Sequence, residues 1–378
     1  MNTGQGVTTK EDGSFSITKP SKSHMLIVSF IGFQNDTIHV SSKNQQLDIV
    51  LRDGVELNEV NIVTRKLGTM KLRSSVMNED MISSAELSRA ACCNLGESFV
   101  TNPSVDVSYS DAATGAKQIK LLGLSGTYVQ MLTENIPNYR GAAAPYGLGY
   151  VPGPWMQSIQ VSKGSSSVKN GYESITGQIN VEFKKPQLPE ADWVSANLFA
   201  SSTNRYEANA DATVKLSKRW STSLLAHYEN ETKSHDSNDD GFVDIPRVEQ
   251  YNVWNRWAYM GDHYVFQAGI KALHETRNSG QIAHGNTPSH DLYEIGIKTN
   301  RYEAFTKNAY IFDKEKNTNL ALILQGTLHN QDANYGRKLY DVDQSNFYAS
   351  LLFETELNKQ HSPVSYTHLR AHETDSYL

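Results

Sequence analysis

The chain of 378 residues contains no run of 18 apolar residues, which excludes transmembrane helices. Its 2 cysteines, Cys92 and Cys93, are adjacent, so they match neither CxxC nor a spaced zinc-ligand pattern, and a disulfide between them would be strained. They read as small buried or free thiols. No long Lys/Arg run occurs and the net charge is -6, which argues against a nucleic-acid partner. The N-terminus lacks a basic segment followed by an apolar run, so no signal peptide is read there. An exported chain without one is expected to be incomplete or processed. Glycines between Gly141 and Gly153 lack the preceding strand, following helix and lysine of a phosphate cradle. No nucleophile motif anchors a Ser-His-Asp group either, and nothing calls for an enzyme.

Sheet-forming residues are what the chain does contain. It has Tyr 19, Phe 12 and Trp 5. From Trp193 to Glu356 it repeats strands of alternating character separated by turns. Val194, Ala196, Leu198 and Ala200 are apolar on one side, against Ser195, Asn197 and Ser201, with Phe199 the exception. Tyr264, Phe266, Ala268, Ile270 and Ala272 form another apolar face, as do Leu320, Leu322, Leu324 and Leu328. Phe347, Ala349, Leu351 and Phe353 make the last. One apolar and one mixed face per strand is the signature of a transmembrane β-barrel wall, which escapes the helix test because only alternate residues meet lipid. Carboxylates are tolerated there only toward a wet lumen, so Glu354 and Glu356 are expected to point inward.

Strands are expected at 192–201, 207–217, 221–232, 250–260, 263–274, 294–305, 307–312, 320–330 and 344–357. The stretch 294–312 counts as one strand too many, giving eight. Connections alternate in length: Ser217–Trp220, Gly261–His263 and Asp313–Asn319 are short, whereas Lys233–Val248, Arg277–Leu292 and Asn330–Asp343 are long. In such barrels the short turns face the periplasm and the long loops the exterior. The segment after Pro363 abandons the alternation and reads as a helical or spurious tail with no function.

The first long loop holds Asp236, Asn238, Asp240, Phe242 and Asp244 around Gly241, most of an EF-hand-like calcium loop. Position 12 is Arg247 rather than a bidentate Glu, and flanking helices are absent. Calcium and a solvated acidic loop with an Asp-Gly turn both remain open. His235, His263, His274, His284 and His290 share no face or ligand spacing and read as lumen, interface or loop residues.

Upstream, Asp12-Gly13 marks a turn, and short strands begin at Ser14, Met25 and Thr37, with Leu47, Ile49 and Leu51 as a last apolar face. The pattern Gly6-x-x-Thr9-x-x-Asp12-Gly13-x-Phe15, followed by Ser29-Phe30-Ile31-Gly32-Phe33, resembles the carboxypeptidase regulatory-like domain. The resemblance starts part-way into that domain. Residues 1–55 are therefore expected to be a partial β-sandwich.

Residues 56–189 are rich in glycine. Leu57–Val63 reads as a connector strand and Met81–Arg89 as a short helix capped by Ser83 or Ser84. Lys120-Leu121-Leu122-Gly123-Leu124, then Tyr128–Pro137, then Met156–Val161 with Lys163-Gly164-Ser165, and finally Gly171-Tyr172-Glu173-Ser174-Ile175-Thr176-Gly177-Gln178-Ile179-Asn180-Val181 occur in order. This series resembles the plug domain of TonB-dependent outer-membrane receptors. Lys120 and Lys163 stand where arginine is common, and Ser165 and Gln178 replace a proline and a glycine. Gly123, Gly164, Gly171 and Gly177 are the expected structural plug glycines, where loss of Cβ permits tight bends.

The fold is thus expected to be mainly β: the sandwich remnant, an α+β plug, and the first strands of an antiparallel barrel over 190–360, with 361–378 a tail. Members of the resembled family close about twenty-two strands around the plug, so this chain is expected to carry only a barrel's beginning. The resemblance implies active uptake of a scarce solute, such as a metal chelate, with no cofactor required. It implies a periplasmic TonB partner, a transported ligand, surrounding outer-membrane lipid and a possible surface lipoprotein partner. Glu134, Asn135, Pro137, Asn138 and Tyr139 are the implied substrate-facing positions, and the coupling segment is placed near Glu59–Val63. A surface adhesin or polysaccharide-binding β-protein with a calcium loop is the second reading. It explains the turns and aromatics but not the ordered plug series.

Overall fold

The computed structural model describes residues 7–10, 13–17, 25–29, 36–40, 47–50, 69–71, 79–89, 93–100, 102, 105–124, 126–164, 170, 173–186, 194–282, 292–358 and 361–377. The chain divides into two compact units, Met1–Arg65 and Lys66–Leu378. In the first, β1 (Met25–Val28) pairs antiparallel with β2 (Asp36–His39). Gly13 turns at φ +79, and its N–H donates to the Lys10 carbonyl at 2.9 Å. Ser14–Ile17 and residues 47–50 join no strand, unlike the expectation.

The second unit opens with an inner domain. Its strands are β3 (Thr69–Lys71), β4 (Glu79–Ser83), β5 (Val105–Asp111), β6 (Ala116–Leu121), β7 (Val129–Thr133), β8 (Ile136–Pro137), β9 (Met156–Lys163) and β10 (Gly177–Phe183). Six form a sheet in the order β3-β4-β9-β10-β7-β8, while β5 and β6 make a separate hairpin. β10 is central and covered on both faces: Ile179, Val181 and Phe183 share the apolar face, while Gln178 and Asn180 on the other are buried as well. Among the described strands only β10 and β7 run parallel; the return between them carries the chain through residues 134–176.

Nine consecutive antiparallel strands make the wall: β11 (Val194–Ala200), β12 (Arg205–Lys215), β13 (Trp220–Glu231), β14 (Arg247–Met260), β15 (Tyr264–Gly280), β16 (Glu294–Asp313), β17 (Thr318–Tyr335), β18 (Lys338–Glu354) and β19 (Val364–Tyr377). Eight of them precede Thr355, and 294–313 is indeed one strand. Three expectations need correction. Residues 330–343 are not a long loop: β17 and β18 continue to a two-residue turn at Gly336-Arg337, with Tyr335 paired to Lys338. Their polar composition disguised them, but backbone pairing needs no apolar side chains. The tail is a strand, registered from Glu354↔Val364 to Asp341↔Tyr377, because the edge of β18 supplies hydrogen-bond partners regardless of side-chain pattern. Met81–Ser83 belongs to β4, and the helix, α1 (Ser84–Arg89), is one short segment after it.

The two wall faces are chemically opposite. Ile270, Leu328 and Phe347 are exposed outward, whereas Arg256, Arg301, Thr299 and His329 are buried inward. Directly opposed residues of an antiparallel pair share a face, so register aligns inward residues in rows. One row is Asp211, Leu225, Trp254, Lys271, Glu303, Thr327 and Asn346. Glu354 falls on the inward parity with Gln344, Tyr348 and Ser350. Outward rings gather at both ends. Trp220 packs on Tyr259 and Phe266 near the short turns, while Tyr228 packs on Tyr251 nearer the long loops. From Tyr251 to Tyr259 the strand rises roughly 26 Å at ~3.3 Å per residue, the order of the apolar band of an outer membrane.

Candidate functional site

The inner domain fills the concave side of the wall, and the expected ligand-facing segment lies at their junction. β7 and β8 are joined by Glu134-Asn135, with φ +51 and +64. Positive φ at both central residues is the two-residue hairpin turn whose twist matches its strands. Two contacts hold it: the Glu134 N–H donates to the Val181 carbonyl at 2.9 Å and the Asn135 N–H to Asn180 Oδ1 at 2.8 Å.

Glu134 is buried, and its Oε1 accepts from Arg256 Nη2 at 2.6 Å. Lys307 Nζ donates to the Glu134 carbonyl at 2.7 Å, and Arg256 Nη1 to the Lys184 carbonyl at 2.8 Å. Burial alone would raise the Glu134 carboxyl, but Arg256, then Lys307 and Lys185, outweigh it and hold the group below the usual carboxylate range. Arg256 lies near the short-turn end of β14, so this turn sits on that side of the wall.

Asn138 and Tyr139 are also buried. Asn138 Nδ2 donates to Glu303 Oε2 at 2.8 Å, and its Oδ1 accepts from Arg301 Nη2 at 2.7 Å. Arg301 Nε in turn donates to Glu303 Oε1 at 2.9 Å. Tyr139 has φ +51 and its hydroxyl accepts from Lys271 at 3.2 Å. Of the five expected positions, Asn135 is exposed and Pro137 partly buried; the other three are engaged by the wall. A small cavity runs beside them, lined by Ile136, Phe183, Trp254 and Phe305 among others.

Further toward the long loops, Gln344 Oε1 accepts from the Ala142 N–H at 2.8 Å, and Asn252 Nδ2 donates to the Tyr150 carbonyl at 3.0 Å. Arg277 makes a fork to Glu275, at 2.6 and 3.0 Å, and stacks over Tyr146 at 4.8 Å. At the far side, Asn94 caps a 3-10 helix by accepting from the Glu97 N–H, and its Nδ2 donates to Glu97 Oε1. That box orients Glu97, whose Oε1 is 2.8 Å from Arg205 of β12. Burial raises the Cys93 thiol far above its ordinary value, as expected of an inert buried cysteine. Cys92 lies outside the described residues.

The glycine expectations divide. Gly123 and Gly164 adopt φ +78 and +85, and a Cβ at Gly177 would collide with the Ser162 carbonyl and Leu121. Gly171 and the segment Glu59–Val63 fall outside the described residues. Lys163 keeps the charge expected of an arginine there and pairs with Asp80 at 2.7 Å. In the Asp236–Asp244 loop, Asp236 Oδ2 accepts from the Gly241 N–H at 2.9 Å, and Asp244 Oδ2 from the Ser237 N–H at 2.7 Å. Among the described residues no group of three or more His, Cys, Asp or Glu side chains is arranged to hold a metal, so the calcium expectation rests on residue types alone.

Residues 71–178 match the family described as TonB-dependent Receptor Plug Domain, and residues 1–62 the CarboxypepD_reg-like domain. The chain thus carries a TonB-dependent receptor plug domain behind a CarboxypepD_reg-like domain, followed by the beginning of a barrel wall. The chain superposes on the alcaligin outer-membrane receptor FauA of Bordetella pertussis with TM-score 0.60 and 13% identity, over 82% of this chain and 50% of that one. The siderophore receptor PiuA of Acinetobacter baumannii gives TM-score 0.60 and 12% identity over 79% and 46%. The copper transporter OprC gives 0.63 and 12% over 79% and 46%. The chain spans about half the length of these structures, and identity this low speaks for fold alone. No curated protein matches the sequence.

The sequence reading missed the wall half of the junction: Arg256, Lys271, Arg301, Glu303, Arg277 and Arg205. A signal existed. Arg205 and Lys271 sit on the polar parity of strands whose other parity is largely apolar, where a charge has only the lumen to face, whereas β16 hides Arg301 and Glu303 because its outward parity also holds Lys298, Asn300, Thr306 and Asn308.

Proposed function

We propose that the full receptor takes up a scarce solute, of the metal-chelate class, across the outer membrane, with a periplasmic TonB protein supplying the work. One observation carries the reading: the plug is seated through polar and ionic contacts to inward wall residues, the Glu134–Arg256 pair and the Asn138–Glu303–Arg301 set foremost. Water and ions can replace such contacts, so a plug held this way can leave its seat and return. Relatives of similar fold include a receptor for alcaligin and a copper transporter, which supports a chelated metal as cargo. A surface lipoprotein lid over the long loops is compatible with this reading, but no contact supports it.

In this mechanism no bond is made. Ligand binding shifts a population between seated and displaced plug, by as much as it prefers one over the other. Glu134, Asn138 and Tyr139 are proposed to act as the seat, since the wall already occupies their polar atoms. Direct ligand contact is proposed for the stretch that follows, where Gly141, Ala144 and Pro145 are exposed.

The test uses the full-length receptor in cells, carrying Cys92→Ser and Cys93→Ser. Ala142→Cys and Gln344→Cys, joined by a short bismaleimide, are expected to abolish TonB-dependent uptake of a ferric chelate supplied as sole iron source. The unlinked double variant, even if weakened, should retain TonB-dependent uptake and is the reference for the linked one. Equal uptake with the link in place, or uptake independent of TonB, overturns the proposal.

A further inference from the structure

Lys271 of β15 meets the plug at three separate places. Its Nζ lies 3.2 Å from the Tyr139 hydroxyl and 3.2 Å from the Tyr150 carbonyl oxygen. Three rings stand around the ammonium: Tyr139 at 5.7 Å, Trp155 at 5.9 Å and Trp254 at 6.0 Å. Tyr139 follows β8, Tyr150 lies in the long return, and Trp155 immediately precedes β9. A single wall side chain, only 4% exposed, therefore fastens both ends and the middle of the segment 139–155.

The contact is built to be reversible. Ring faces attract an ammonium most when water is excluded, so the cage counts only while all its members stay in place. Glu303, the register partner of Lys271, stays 3.7 Å away on the wall itself. When the plug segment leaves, the ammonium still has a carboxylate and gains lumen water, so no unpaired buried charge is left behind. An apolar contact at this position would have no such alternative partner.

We propose that Lys271 is the positioning residue by which the wall holds segment 139–155 in its seated form, and that plug displacement requires this segment to withdraw from around the ammonium. The idea rests on the uptake reading for its purpose, but not for its test. The segment is then organised partly by the wall, and its order is lost when the ammonium is removed.

Hydrogen exchange on the full-length receptor in detergent reads this without transport. Lys271→Met keeps the stem and removes the charge; amides of 139–155 should exchange about tenfold faster, with β14 and β16 peptides unchanged. Lys271→Arg keeps a cation and should restore protection to within about threefold of the parent. Should Lys271→Met fail to assemble, Tyr139→Phe removes only the hydroxyl acceptor and is expected to give about threefold faster exchange in the same segment. Unchanged protection in the variant that assembles overturns the proposal, as does equal acceleration of the wall peptides, which would mark a general structural role. The expected acceleration in the variants, found in a parent receptor that shows no TonB-dependent uptake, would instead count against the function proposed above, leaving the contact itself intact.

Discussion

In the plug, the side chains cut off from solvent include Ile82, Leu95, Leu121, Ile159 and Ile179; in the wall they include Arg256, Arg301, Thr299 and His329. The plug is an ordinary globular domain, apolar within. The wall is inverted, since its outward face meets hydrocarbon and its inward face meets another protein surface. At the junction the apolar cluster of the plug continues only at Leu225, Trp254, Leu273 and a few outer positions such as Ile295 and Ile297. Elsewhere the two regions join through charges and amides. The plug is therefore cohesive by itself and exchangeably attached, which is the division of labour that a movable stopper needs.

The sharpest way to break that attachment is Glu134→Gln. It leaves Arg256 and Lys307 facing a neutral group in a buried site, and a broken buried pair costs about 3–5 kcal/mol. Plug peptides should lose protection in hydrogen exchange while wall peptides keep theirs. Adding Arg256→Gln should recover part of the loss, because the stranded charge is then removed as well. Additive losses would show the pair to be uncoupled.

Next in size is a test of the wall's inversion. Leu324→Arg puts a cation on the lipid-facing parity, opposite Ala349 and Thr306 and midway along β17. It should cost about 2–4 kcal/mol in folding of the full receptor into vesicles. Thr327→Arg, three residues on and inward, should cost clearly less, since it faces the polar lumen. Equal costs would mean that the two faces are not differentiated as described.

Alternation told which residues of a strand share a side, and at Leu320, Leu322, Leu324 and Leu328 it told which side meets lipid. It could not tell that Lys271 stands opposite Glu303, because register is a relation between strands that no single strand contains. Polar extensions such as Gln331–Tyr335 were illegible for a related reason: beyond the membrane the apolar parity ceases while the backbone ladder continues. The order of plug segments was legible from Lys120 to Val181. The seat was not, because every plug residue in it has its partner more than a hundred positions away, as with Glu134 and Arg256.

Acid should loosen the plug more than the wall's lipid face. Glu134 has its folded value held below the ordinary one, so its stabilisation is full above about 4.5 and is lost as pH falls from there through the folded value. Glu97, which burial raises but Arg205 and Lys117 hold lower, adds in the same direction. Exchange of residues 129–137 in the detergent-solubilised receptor should rise on acidification below about 4.5. The dependence should flatten in Glu134→Gln. A plug whose protection is constant over that range would remove the pair from the seat.

The smallest effect belongs to the turn between β17 and β18, where neither region touches the other's chemistry. Gly336 holds φ +60, and a Cβ there would stand 2.7 Å from the Tyr293 ring. Its N–H also donates to the Glu294 carbonyl at 2.8 Å, so the turn is tied to β16 and cannot simply relax outward. Gly336→Ala meets both a left-handed backbone and a crowded ring, for a cost of about 1 kcal/mol. Because the hairpin lies beyond the membrane, the loss should stay local, seen as faster exchange at residues 331–342 with segment 139–155 as protected as before. Should the plug loosen as well, seat and outer loops are coupled through the wall, and the separation of cohesive plug from passive wall would have to be redrawn.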